Sequence, residues 1–162
     1  MERTYRTLIG VMGASQCDQK VYETAREVGR LVAQRGAVLL CGGRGGVMEA
    51  AARGAKEAGG LTIGILPGMN ASETPPNPYI DVAIFTGMRD GRNWINVCAS
   101  DAIIAISGGY GTLSEIALAL KVGKPVVLLH SWELPSHEAS PLYVARTPEE
   151  AVEMAFREIG GS

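Results

Sequence analysis

The feature that most constrains this chain is a repeated arrangement: a short apolar run, then glycines or small polar residues, then a longer segment of helical period. Runs of strand length lie at Thr7–Met12, Ala37–Cys41, Leu61–Leu66, Val82–Phe85, Ala102–Ser107, Pro125–Leu129 and Leu142–Val144. Several are continuous Ile, Val and Leu rather than alternating, the pattern of strands covered on both faces. A chain built this way folds by laying parallel strands side by side and returning through helices.

The intervening segments carry the helical signal. Val21, Ala25, Val28 and Val32 share one face, so a helix is expected over Gln19–Arg35 with Asp18 as its N-cap. Met48, Ala51, Ala55 and Ala58 make a narrow stripe from Gly46 to Ala58, closed by Gly59-Gly60, and such small side chains let a helix lie close to the sheet. Further helices are expected over Arg92–Ser100, Gly111–Val122 and Pro148–Ile159, the last capped by Thr147. Together these elements predict an α/β, Rossmann-like doubly wound fold in three layers. Its sheet has about seven mainly parallel strands, and ligand binds at their carboxyl edge. A late antiparallel strand stays open. The proline-rich stretch Pro67–Tyr79 reads as a loop over the ligand edge or a subunit contact, and His130–Pro141 as a second irregular segment.

At 162 residues, with 46% hydrophobic content, the chain is the size of one domain, and residues 1–162 are read as a single nucleotide- or phosphate-binding unit. A formal charge of −2 gives no attraction to nucleic acid or an anionic membrane, so neither is expected as a partner. No apolar segment reaches the roughly 20 residues that span a bilayer, and no secretory leader is visible. Cys17, Cys41 and Cys98 are widely spaced and odd in number, which argues for thiols in a reducing cytoplasm and against a metal knuckle. His130 and His137 lack acidic or cysteine partners at ligand spacing and read as exposed loop residues, so no metal site is expected.

The chemistry concentrates in the glycine clusters. In Cys41-Gly42-Gly43-Arg44-Gly45-Gly46-Val47-Met48, a strand turns into a helix through residues without Cβ atoms, an arrangement that brings backbone N–H groups and a helix N-terminus to an anion. It is neither a Walker loop nor a GxGxxG dinucleotide fingerprint, so ATP hydrolysis and hydride transfer lose support. Close helix–sheet packing is the other reading of these glycines. Ser107-Gly108-Gly109-Tyr110-Gly111-Thr112-Leu113-Ser114-Glu115 repeats the arrangement and adds the Thr112 hydroxyl and the Glu115 carboxyl, which could equally serve the helix dipole. Between them, Gly87-Met88-Arg89-Asp90-Gly91-Arg92-Asn93 offers two guanidinium forks, and either Arg89 or Arg92 could clamp a phosphate. Gly13 and Ser15, after the first strand, complete the candidate ligand edge.

These motifs resemble the superfamily of the LONELY GUY cytokinin-activating phosphoribohydrolases, the molybdenum-cofactor carrier proteins and many proteins once labelled as lysine decarboxylases. The likeness rests on Gly42–Met48, on Arg92 placed nine residues before Asp101-Ala102, and on Ser107–Glu115, and it spans Thr7 to Leu129. In the hydrolases the motif arginine and glutamate work at the N-glycosidic bond of a nucleoside 5′-monophosphate without a cofactor, while the glycine loop and threonine hold phosphate. The resemblance places those roles on Arg92, Glu115, Gly109, Gly111 and Thr112. Ser107 stands where that motif opens with proline, Asn93 where lysine is usual, and Glu49 where glycine is common. These departures are more similar to the carrier-protein branch.

The leading expectation is therefore a binding or carrier protein for a nucleotide or phosphorylated cofactor, with a molybdopterin-type compound as the candidate. The alternative is a phosphoribohydrolase in which Arg92 and Glu115 are catalytic. Lysine decarboxylation ranks below both, because Lys20, Lys56, Lys121 and Lys124 all lie outside the glycine motifs that would hold pyridoxal phosphate. The ligand edge on this reading comprises Gly13, Ser15, Gly42, Gly43, Gly45, Gly46, Met88, Arg89, Arg92 and Gly108 through Thr112, with Glu115. The resemblance also implies a homodimer or homotetramer.

Overall fold

The computed structural model describes residues 2–136 and 139–160. Among them seven strands form one sheet: β1 Leu8–Gly13, β2 Val38–Cys41, β3 Thr62–Leu66, β4 Val82–Phe85, β5 Ala102–Ile106, β6 Val126–Leu129 and β7 Leu142–Ala145. Their spatial order is β4-β3-β2-β1-β5-β6-β7, and every neighbouring pair is parallel. The helices are α1 Gln19–Gln34, α2 Val47–Glu57, α3 Arg92–Ala99, α4 Tyr110–Lys121 and α5 Pro148–Gly160, with a 3-10 turn at Arg89–Gly91 before α3.

The late antiparallel strand is not realised. β7 runs parallel to β6, from the Val126–Leu142 pair to the Leu129–Ala145 pair. A parallel neighbour requires the chain to travel back along the sheet, usually through a helix. Here the described part of residues 130–141 makes that return as irregular chain, which is why periodicity could not give its direction. His130 is exposed at the end of β6. His137 lies outside the described residues.

Strand geometry sends alternate side chains to opposite faces, and each face has its own core. Ile9, Val11, Leu39, Ile104, Ile106, Val127 and Leu129 pack with α1, α2 and α5. Met12, Leu40, Ile65, Ile103, Ala105, Val126 and Leu128 pack with α3 and α4. Each fully buried Val, Leu or Ile contributes about 1.5–3 kcal/mol. Helices α1 and α2 touch through glycines: a Cβ on Gly29 would strike the Ala51 carbonyl oxygen, and one on Gly54 would strike that of Arg26. This close approach seats the start of α2 beside the β1 loop, where Val47 N donates to Ala14 O at 3.0 Å.

From β1 the chain winds outward through β2, β3 and β4, then crosses back to place β5 on the other side of β1. The loops leaving β1 and β5 therefore diverge and open a crevice at the carboxyl edge.

Candidate functional site

A cleft of about 300 Å³ occupies that crevice. Its walls come from the β1 loop (Gly13, Ala14, Ser15), Gly42 after β2, the α3 side chains Arg92, Asn93 and Asn96, and the start of α4 with Gly109, Gly111, Thr112 and Glu115.

Arg92 begins α3 and reaches across to the sheet. Its Nη1 donates to Gly42 O and to Ile65 O, the latter at 2.7 Å, so one arm of the fork joins the ends of β2 and β3. Gly42 has its sequence reason here: a Cβ would meet the Arg92 guanidinium and the Met48 sulfur. Burial lowers the Arg92 pKa from its ordinary value, opposed by the nearby Glu115 charge. Glu115 projects from the first turns of α4 with only 8% of its surface exposed. Burial pushes its carboxyl up to about 7, against a hydrogen bond from Asn96 and the charge of Arg92, which both pull it down. Asn96 Nδ2 donates to Glu115 Oε2 at 3.1 Å.

The two glycine loops do different work. At α4 the N-cap is Gly109 and no side chain caps the helix, so its first-turn N–H groups, beside the buried Thr112, carry partial positive charge at the cleft. The loop before it is held in an unusual shape. Ser107 has φ +52 and Gly108 φ +104, and a Cβ on Gly108 would collide with Thr112. Ser131 Oγ donates to Ser107 O at 2.7 Å and Trp132 Nε1 to Gly109 O at 3.2 Å. Proline, whose ring fixes φ near −65°, cannot take the Ser107 conformation.

The loop before α2 is committed to the protein. Gly43 N donates to Cys41 Sγ, Asn77 N donates to Gly43 O at 2.9 Å, and Asn77 Nδ2 donates to Arg44 O at 2.8 Å. Gly43 packs against Leu66, and a Cβ on Gly46, at φ +61, would strike Ala14 O. Gly42 thus lines the cleft, whereas Gly43, Gly45 and Gly46 lie outside its wall. So do Gly108 and Tyr110, the latter exposed and stacked on Trp132 with ring centroids 5.9 Å apart. Of the two candidate arginines, Arg92 is in the cleft. Arg89 lines a neighbouring hollow of about 530 Å³ with Arg44, and Asp90 borders both spaces. Met88 is half exposed and lines neither.

Sequence reasoning missed Asn96, Asp90, Met48 and the lining role of Asn93. For Asn96 a signal existed: it lies four residues after Arg92, on the same helical face. Among the described residues no group of three or more His, Cys, Asp or Glu side chains could hold a metal ion.

The model of the SLOG cluster4 family matches residues 6–154. The chain belongs to this family. Among solved structures, the molybdenum cofactor binding protein of Rippkaea orientalis superposes with a TM-score of 0.88 at 42% identity, covering 97% of this chain and 99% of that one. The molybdenum cofactor carrier protein of Chlamydomonas reinhardtii gives 0.88 at 37%, covering 98% and 100%. The cytokinin riboside 5′-monophosphate phosphoribohydrolase of Mycobacterium tuberculosis is 35% identical over 74% of this chain and 67% of its own. This SLOG cluster4 chain is thus similar both to carriers and to a hydrolase. What they share with it includes the Rossmann-like fold of the carriers and, at sequence level, the LONELY GUY relationship.

Proposed function

We propose that this protein binds and carries a phosphorylated, nucleotide-like compound in the Arg92–Glu115 cleft, with a molybdopterin-type cofactor as the candidate. The observation that carries this reading is the uncapped start of α4, which turns free N–H groups and Thr112 toward a cleft at the sheet's switch point. The residues present fit such a compound. Gly109, Gly111 and Thr112 would hold its phosphate, and Asn93 and Glu115 the polar edge of its heterocycle. The cleft volume is at the lower end of small-molecule sites, and the Arg44–Arg89 hollow lies beside it across Asp90. A molybdopterin-type compound brings its own sulfur ligands for metal, so this chain supplies binding and shelter.

The second reading, a phosphoribohydrolase acting on nucleoside 5′-monophosphates, is favoured by the Glu115 carboxyl. Buried and raised to about 7, it could exchange a proton near neutral pH while Arg92 steadies the sugar phosphate. Incubation with AMP distinguishes the two. Binding without release of adenine supports the carrier; turnover abolished by Glu115→Gln overturns it.

The proposal extends to a single domain in a cytoplasmic homodimer or homotetramer. The described cysteines are free thiols, as a reducing compartment favours. The α3–α4 layer exposes Trp94 and Val122, apolar surface suited to a second copy. Among the described residues no helix is long and apolar enough to cross a membrane.

A further inference from the structure

We infer that Asn96 is the positioning residue of this site: its carboxamide, and not Arg92, fixes Glu115 and keeps that carboxyl available as a proton acceptor facing the ligand. Its meaning for ligand recognition rests on the reading above; the contact itself does not.

Arg92 directs its hydrogen bonds away from Glu115. An arginine beside a buried glutamate would ordinarily form a bidentate pair with it. Here Nη1 is given to the carbonyl oxygens of Gly42 and Ile65, and no Arg92–Glu115 ion pair occurs among those of the described residues. Arg92 acts on Glu115 through space only. The direct hydrogen bond to the carboxyl comes from Asn96 Nδ2. The Arg92–Asn96 spacing of one helical turn brings both to the same wall while giving them different partners.

Asn96 is built for this contact at a cost. It is 1% exposed, and its Oδ1 is buried without a hydrogen-bond partner, a rare condition in folded proteins that calls for a reason. A buried leucine would fill similar space without the orphaned oxygen. What leucine lacks is the N–H. A donor on Oε2 favours the ionised carboxyl over the neutral one and leaves Oε1 for a group in the cleft. An ionised carboxylate accepts only, so the ligand group placed there must bring an O–H or N–H, such as a sugar hydroxyl or a ring amine. The phosphate, repelled by the same charge, belongs farther along, at the start of α4. The other charged or titratable groups facing Glu115 are Arg92 from α3 and the buried Cys41 thiol from β2, while Arg44 and Asp90 act on Arg92 from the rim.

The test needs no ligand, so its failure is separate from any failure to bind nucleotide. Carboxyl carbon NMR of the full-length, ligand-free protein labelled with 13C-glutamate follows the Glu115 resonance, identified by its loss in Glu115→Gln, through a pH titration. Asn96→Leu and Asn96→Ala are the perturbations, both uncharged and without a side-chain donor, the second smaller in case the first folds poorly. Removing the donor raises the Glu115 midpoint by about one unit or more in either variant, a tenfold change in the ionisation equilibrium. A purely structural asparagine would alter the melting temperature without moving that midpoint. A midpoint unchanged in a folded variant overturns the inference.

Discussion

Replacing Glu115 by glutamine tests the electrostatics of the cleft through stability alone. The carboxyl is almost enclosed, and burial outweighs both Asn96 and Arg92 in lifting its midpoint from 4.5 to about 7. The folded state therefore holds this proton more tightly than the unfolded chain does. Below the unfolded midpoint both states are protonated and no penalty exists. As pH rises from there through the folded midpoint, the unfolded chain releases the proton first, and stability falls. Above about pH 7 the full penalty is present. At about 1.4 kcal/mol per tenfold in the equilibrium, it comes to ~3 kcal/mol. Glutamine keeps an acceptor for Asn96 Nδ2 and has nothing to ionise. Urea unfolding at pH 5 and pH 8 should show the wild type losing ~2.5 kcal/mol relative to Glu115→Gln across that interval, since a small part of the penalty is already present at pH 5; other titrating groups cancel in the difference. Parallel stability curves would refute the claim that Glu115 is a desolvated carboxyl.

Three further outcomes follow from the geometry. Gly54→Ala drives a Cβ into the Arg26 carbonyl of α1, and overpacking should destabilise the protein by about 1–3 kcal/mol in denaturant titration although alanine is the better helix former. Ser107→Gly relieves the positive φ and should stabilise by about 1 kcal/mol, whereas Ser107→Pro cannot take that conformation and should lower both melting temperature and AMP affinity. Sedimentation should give the mass of a dimer or tetramer, and Trp94→Asp on the exposed α3 surface should reduce it; a monomeric wild type would contradict the proposed assembly.

Much of the fold was legible because continuous Val, Ile and Leu runs flanked by glycine leave few alternatives to buried parallel strands, and the helix faces led by Val21 and Met48 repeat at helical spacing. The direction of β7 was hidden, since the sequence of residues 130–141 has no helical period to signal a crossover. At the site, Glu115 and Thr112 stood out as a carboxyl and a hydroxyl at the start of the helix after β5, while Arg92 and Arg89 stood side by side as equal candidates. The glycines could not be sorted. Gly43 and Gly46 answer to Leu66 and to Ala14 O, neighbours distant in sequence, and a glycine needed for packing looks the same in sequence as one needed for an anion. Asn96 shares a helix face with Arg92, which marks it as a candidate, but its partner became visible only with the carboxyl it meets, nineteen residues away.

The most direct test of the central claim is native mass spectrometry of the freshly purified protein, followed by identification of any small molecule it releases. Wild-type protein is expected to hold a phosphorus-containing heterocyclic compound, and to lose it when Thr112→Trp fills the cleft. Wild-type protein that retains no such compound, and that fails to bind AMP or a molybdopterin-type cofactor in calorimetry, would contradict that claim.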